Sequence, residues 1–345
     1  MSTAVKIALD WKPNGNHVGF YVAKAKGMYS AAGLDVSLIS PHSDNYTATP
    51  ASRVESGEAL LAITPSETVI SFNTRPPSTP KPAIKAVATL LQRDDSAIVT
   101  LKSSGIDRPS KLDGKRYASY GARYEGRIVQ QMIKADGGTG EYQELGLPML
   151  GLWETVLKGE AESTWVFMGW EGVEAKLKGV ELNVFKLGDY GIPYGYSPVV
   201  VAHPDSISEK KDQLSKVLTA TAEGYRFAVA NPEEAAEIMA KAVAEEHPDL
   251  SEPLDLEVLK GSIQVVAGLC LNEATKKWGH MDSDRWNKFL DWLSTNGLLT
   301  TKVQTRGDAG VDTTSLDGLR SGDVGDVVPR ESLQADNLFS NEFLP

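Results

Sequence analysis

Apolar residues occupy alternate positions at Val5, Ile7 and Leu9 and then, beyond the polar run Pro13-Asn14-Gly15-Asn16, recur at helical spacing in Val18, Tyr21, Val22 and Ala25. A strand, a loop and a helix are therefore predicted within the first 25 residues, with Asn16 as helix cap. Short apolar runs predict further strands over 60–63, 84–91, 98–101, 116–119, 163–167 and 199–202. Helical periodicity predicts helices over 126–135, 152–158, 172–178, 208–230, 232–245 and 283–296. Such alternation marks an α/β protein with largely parallel sheets. In such sheets ligands gather beyond the carboxyl ends of the strands. The first loop aims free N–H groups, Trp11 and His17 at that region. A structural reading fits the same pattern, with Trp11 and Tyr21 in the core and His17 bonded to a carbonyl.

At 345 residues the chain is long enough for two domains. Its net charge of −11, with no basic run, excludes a nucleic-acid partner. No window approaches 18 consecutive apolar residues, so no membrane span is expected. The single cysteine, Cys270, and an opening without a signal-peptide pattern lead to the expectation of a reducing, cytoplasmic setting. The four prolines of 75–82 predict a stiff surface loop. The Gly/Asp-rich stretch 303–328 is expected to lie over the surface or to be partly disordered, away from function.

Four further clusters join strand ends to helix starts or loops. At Ser119-Tyr120-Gly121-Ala122-Arg123-Tyr124-Glu125, Gly121 permits a turn that presents N–H groups, and Arg123 offers a fork for a phosphate or carboxylate. Alternatively, Arg123 pairs with Glu125 or Glu141 on a solvated face. At Ile63-Thr64-Pro65-Ser66-Glu67 a strand stops and Ser66 can cap a helix. Glu67 there either answers the helix dipole or accepts bonds from an amino-heterocycle. Trp170 and Glu171 end another strand, and Tyr194 and Tyr196 sit among loop-formers. Aromatic faces beside carboxylates suit a flat polar heterocycle better than a sugar. The five histidines are scattered without metal-ligand spacing, and neither G-x-S-x-G nor a Walker loop occurs, so no catalytic or metal residue is assigned.

The run Asp10-Trp11-Lys12-Pro13-Asn14 with His17, then Lys26-Gly27-Met28-Tyr29, Gly33-Leu34-Asp35-Val36 and Lys111-Leu112-Asp113-Gly114-Lys115, resembles the thiamine-pyrimidine precursor family. The closing Leu338-Phe339-Ser340-Asn341-Glu342-Phe343-Leu344-Pro345 extends the resemblance over nearly the whole chain. That family groups hydroxymethylpyrimidine phosphate synthases with solute-binding proteins for formylaminopyrimidine and with sulfonate-binding relatives. The resemblance implies a two-lobe α/β fold of the type II periplasmic-binding-protein kind, with the ligand in the cleft between the lobes. Lobe 1 would comprise 1–95 and 195–300, lobe 2 would comprise 96–194, and 301–345 would form a C-terminal extension.

The expected ligand is a small heteroaromatic molecule of the thiamine-pyrimidine type. Trp11, Tyr120, Tyr124, Trp170, Tyr194 and Tyr196 would stack, while Glu67 and Glu171 accept from ring amino groups. Arg123 and the Gly121 backbone would hold an anionic tail, Asn14 and His17 would close the cleft, and Ser66 and Glu125 complete the set. In the synthase branch a lysine holds pyridoxal phosphate, a histidine donates atoms to the product, and a cysteine-rich stretch with iron assists. Here Ile63 and Glu67 stand at the lysine and histidine positions, and Pro193-Tyr194-Gly195-Tyr196-Ser197 contains no cysteine. No cofactor is therefore expected. Pyridoxal phosphate and iron belong only to an alternative in which Lys12, Lys85 or His17 replaces the missing groups. The family's synthases leave a homodimer open, and no stretch of this chain marks an interface.

Overall fold

The computed structural model describes residues 2–76, 84–250, 253–305 and 314–345. Among these residues the strands are β1 (Thr3–Ala8), β2 (Leu34–Ile39), β3 (Leu61–Thr64), β4 (Lys85–Thr89), β5 (Ser96–Leu101), β6 (Arg116–Ala118), β7 (Gln143–Leu145), β8 (Ser163–Phe167), β9 (Leu182–Lys186) and β10 (Val199–Ala202). They form two five-stranded sheets, ordered β2-β1-β3-β10-β4 and β7-β6-β8-β5-β9.

The sheets are mixed rather than largely parallel. β1 runs parallel to β2 and β3, and β6 runs parallel to β7 and β8. β10 lies antiparallel between β3 and β4, and β5 lies antiparallel between β8 and β9. The two reversed strands are those the chain enters on crossing from one sheet to the other, β5 after β4 and β10 after β9. Apolar periodicity reports burial, not direction, so it carried no sign of the reversal.

Most predicted helices form close to their expected bounds, as at Glu125–Ala135, Leu152–Leu157, Pro232–Glu246 and Ser283–Thr295. The predicted helix over 208–230 is two, Pro204–Glu209 and Lys211–Ala230, divided at Lys210, whose ψ of 34° leaves the helical range. A helix at Leu256–Leu269 was not predicted; Asp255 caps it by accepting from the N–H groups of Glu257 and Val258. Three edge strands also escaped prediction: β2, β7 with three residues, and β9, whose side chains are mostly half-buried.

The helices Val18–Ala25 and Lys211–Ala230 pack against each other through glycine. A Cβ on Gly224 would lie 2.0 Å from the carbonyl oxygen of Gly19, and one on Gly19 would lie 2.1 Å from the Tyr225 ring. Both obstacles belong to a rigid contact, since Tyr225 is fully buried and stacks on Trp278 at 4.8 Å. Gly224→Ala is expected to cost about 3 kcal/mol or more by forcing the helices apart. A denaturant midpoint unchanged from the parent would contradict that account of the crossing.

The predicted stiff loop lies outside the described residues from Pro77 to Pro82. The stretch 303–328 departs from expectation where it is described. Val303, Leu316 and Leu319 are buried, and a Cβ on Gly126 would meet Leu316 at 2.9 Å. Three apolar side chains at turns of an otherwise polar segment suffice to anchor it. Residues 306–313 lie outside the described set. No helix among the described residues is long and apolar enough to cross a membrane.

Candidate functional site

A cavity of about 220 Å³ opens where the carboxyl ends of parallel strands from both sheets meet. Asp10 and Trp11 follow β1, Pro65 and Glu67 follow β3, Tyr120 follows β6, and Trp170 follows β8. This is where an open α/β sheet leaves backbone groups and side chains free of the ladder.

Asn14, not Asn16, caps the first turn, the 3-10 helix Gly15–His17. Its Oδ1 accepts from the Asn16 N–H at 2.9 Å and its Nδ2 donates to the Lys12 carbonyl at 3.0 Å. His17 is fully buried and does not reach the cavity. Its Nδ1 accepts from the Asn14 N–H at 3.2 Å, which leaves the proton on Nε2 to be donated to Asp10 Oδ1 at 2.7 Å. His17 therefore holds Asp10, which lines the cavity, and it does not close the cleft itself. Trp11 does line the cavity, edge-on to Tyr120 at 5.4 Å and tilted against Tyr46 at 6.0 Å.

The turn after β6 is organised by Glu125. Its Oε1 accepts from the Tyr117 hydroxyl at 2.7 Å and the Tyr120 N–H at 3.1 Å, and its Oε2 accepts from the Ala122 N–H at 3.0 Å. The Gly121 N–H donates to Ser119 Oγ at 2.8 Å. The N–H groups of this turn are thus engaged internally, which corrects the expectation that the Gly121 backbone would grip an anion. Gly121 is still required for the turn, with φ at +64°. Arg123 is buried in the cavity lining and lies over the Phe72 ring at 4.9 Å. It pairs with neither Glu125 nor Glu141 on a solvated face. Burial first, and then the Arg75 guanidinium, pull Arg123 down to about 9.

Glu67 opens the helix Ser66–Asn73 and faces the cavity. Its Oε2 accepts from the Tyr194 hydroxyl at 2.7 Å. Burial pushes its carboxyl up to about 7 although this bond pulls the other way. Glu171 is also buried in the lining, accepts from the Phe167 N–H at 3.0 Å, and is raised to about 7 by burial. Trp170 and Tyr194 complete the aromatic walls.

Three further predicted residues lie elsewhere. Ser66 is fully buried outside the lining, and its hydroxyl makes no cap bond; Pro65 holds the cap position. Tyr124 is buried in the core beside Ile128. Tyr196 accepts from the Asp282 N–H at 2.9 Å and carries Arg285 over its ring at 4.2 Å, a tie made away from the cavity. Periodicity places an aromatic ring near a site but does not say on which side of a turn it falls.

Sequence reasoning missed Asp10, Tyr46, Trp165 and Thr305 in the lining. Asp10 stood in the opening run beside Trp11, and Trp165 in the predicted strand 163–167 that leads to Trp170. Tyr46 has a left-handed backbone with φ at +62° in a loop without periodicity, and Thr305 comes from the segment expected to be remote.

The described lining contains no lysine. Ile63 is fully buried there, and a side chain without an amine cannot hold an aldehyde cofactor as an imine. Lys85 donates instead to the Asp336 carbonyl at 2.8 Å, and Lys12 lies outside the lining. These residues do not fit pyridoxal phosphate.

Two mixed sheets joined by two crossings, with a cavity at their strand ends, define the class of the protein: a solute-binding-protein fold. The chain belongs to the NMT1/THI5 like family, whose model matches residues 14–235. It is 25% identical over 302 residues to the formylaminopyrimidine-binding protein of Halalkalibacterium halodurans, covering 87% of each chain. It is 24% identical over 317 residues to the riboflavin-binding protein RibY of Chloroflexus aurantiacus, covering 88% of this chain and 83% of that one. The periplasmic aliphatic sulphonate-binding protein SsuA of Escherichia coli shares the fold, with a TM-score of 0.60 at 13% identity over 90% of this chain and 91% of that one.

The raised Glu67 carboxyl has a consequence for stability. An acid whose value is higher in the folded state binds more protons folded than unfolded between about pH 4.5 and 7. Its contribution is present in full below that window and is lost as pH rises through about 7. Glu67→Gln is therefore expected to gain on the parent by about 3 kcal/mol between pH 5 and pH 8. Parallel denaturation curves of the two proteins at those pH values measure this directly, and a constant difference would contradict it.

Proposed function

We propose that the cavity binds one flat heteroaromatic molecule of the thiamine-pyrimidine class, carrying a ring amino group, in a protein that binds and does not transform it. Glu67 is the observation that carries this reading. A carboxyl oriented by Tyr194, raised to about 7 and placed among aromatic walls is poised to ionise when a ring amino group supplies the missing donor. Trp11, Tyr120, Trp170 and Tyr194 offer faces or edges to the ring, and Glu171 offers a second in-plane acceptor. Arg123 is the group that would meet a phosphorylated or otherwise anionic tail. The similarity to a formylaminopyrimidine-binding protein supports the same ligand class.

Calorimetric titration with formylaminopyrimidine, hydroxymethylpyrimidine, its phosphate, riboflavin and pyridoxal phosphate tests the proposal. Saturable binding of a pyrimidine is expected, with no visible band on adding pyridoxal phosphate. A pyridoxal band fixed by borohydride would restore the enzyme reading. Tight binding of riboflavin without any pyrimidine would move the ligand class to flavins.

A further inference from the structure

We propose that His42, His247 and Asp249 form a site for a divalent cation of the zinc class, separate from the ligand cavity. One donor atom from each lies within 4.8 Å of the other two, and none of the three residues lines the cavity. His42 sits on the 3-10 turn Pro41–Asp44, while His247 ends the helix Pro232–Glu246 and Asp249 follows two residues later. Segments some 200 residues apart in sequence are thus brought to one point, with a donor set of two imidazoles and one carboxylate that suits zinc.

The second observation is His42 itself. Its side chain is nine-tenths buried, and its Nε2 has no hydrogen-bond partner among the described residues. That nitrogen stands 3.2 Å from Asp249 Oδ1, out of hydrogen-bond alignment. The separation is close to the edge of about 3.3 Å that two ligands share in a zinc tetrahedron. The opposite ring nitrogens are already held, His42 Nδ1 by Ser40 Oγ at 2.6 Å and His247 Nε2 by the Tyr21 hydroxyl at 2.9 Å. Such outer contacts fix ring orientation and tautomer, and leave one nitrogen of each ring for the metal. The two rings cross at 82° with centroids 5.3 Å apart, so they do not stack face to face and exclude an ion. Lys24, on the helix Val18–Ala25, is paired with Glu246 at 2.7 Å, which offsets its repulsion of a cation.

Three protein ligands leave a fourth position for water, as in an open zinc site. The metal would clamp the loop that carries Tyr46 into the ligand cavity to the end of the helix Pro232–Glu246. The clamp does not depend on which ligand the cavity takes.

The test uses tag-free full-length protein stripped by a chelator. Titration with Zn²⁺ is expected to give one saturable equivalent and a higher melting temperature, and Co²⁺ is expected to give visible ligand-field bands. Asp249→Asn, at an exposed carboxylate, and His42→Gln should each weaken binding by more than about tenfold, since even outer-shell partners are worth that much. Both variants should melt near the metal-free parent. No saturable uptake by the parent would overturn the proposal and leave an ordinary His42–Asp249 ion pair. Uptake that survives both substitutions would overturn it equally, by placing the metal elsewhere.

Discussion

Replacing Tyr120 and Trp170 together by alanine is expected to weaken pyrimidine binding by about 2–6 kcal/mol, the combined value of two stacking partners. Both rings line the cavity from the strand ends of the second sheet. Tyr120 also meets Trp11 edge-on at 5.4 Å, so its removal loosens a wall that reaches across to the first sheet. Both are only partly buried, and the folded state should therefore lose much less than the complex. Calorimetry on the double variant, with a denaturation curve as control, separates the two effects. Unchanged affinity in a folded double variant would remove these rings from the site.

Glu125→Ala is expected to produce the largest loss of stability among the site residues. The carboxylate gathers the Tyr117 hydroxyl and the N–H groups of Tyr120 and Ala122, all within 3.1 Å. Deleting it leaves these donors without their acceptor in a buried setting, at a cost of about 1–3 kcal/mol for each group left unsatisfied. A total of at least about 3 kcal/mol should appear in the denaturant midpoint. Glu125→Gln, which keeps part of the acceptor capacity, should fall between parent and alanine variant. An alanine variant as stable as the parent would show that the turn holds itself without Glu125.

Much of the site was legible because strand ends announce themselves. The apolar runs that stop at Pro65, at Ala118 and at Phe167 each place polar or aromatic residues where side chains leave the ladder, and Glu67, Tyr120 and Trp170 do line one cavity. What stayed hidden depends on three-dimensional direction. His17 follows Trp11 by only six residues, yet its buried ring donates to Asp10 while Trp11 faces the cavity. In sequence the Gly121 turn reads as an anion cradle, because nothing there shows its N–H groups engaged; Glu125, four residues on, consumes two neighbouring ones. The antiparallel β5 and β10 carry the same apolar runs as parallel strands would, so mixed sheets could not be told from parallel ones. The His42, His247 and Asp249 group was invisible because its members lie too far apart in sequence for any spacing rule to join them.

In the proposed function, Glu67 recognises a ring amino group in the cavity. Calorimetric titration of hydroxymethylpyrimidine into the parent protein and into Glu67→Gln, each at pH 6 and pH 8, tests it most directly. Glu67 sits near 7 before binding, so the parent should bind more tightly at pH 8 and release a proton at pH 6. The glutamine variant should bind at least tenfold more weakly at pH 8, about 1.4 kcal/mol, and lose that pH dependence. Equal affinities for the two proteins at pH 8 would contradict that role for Glu67.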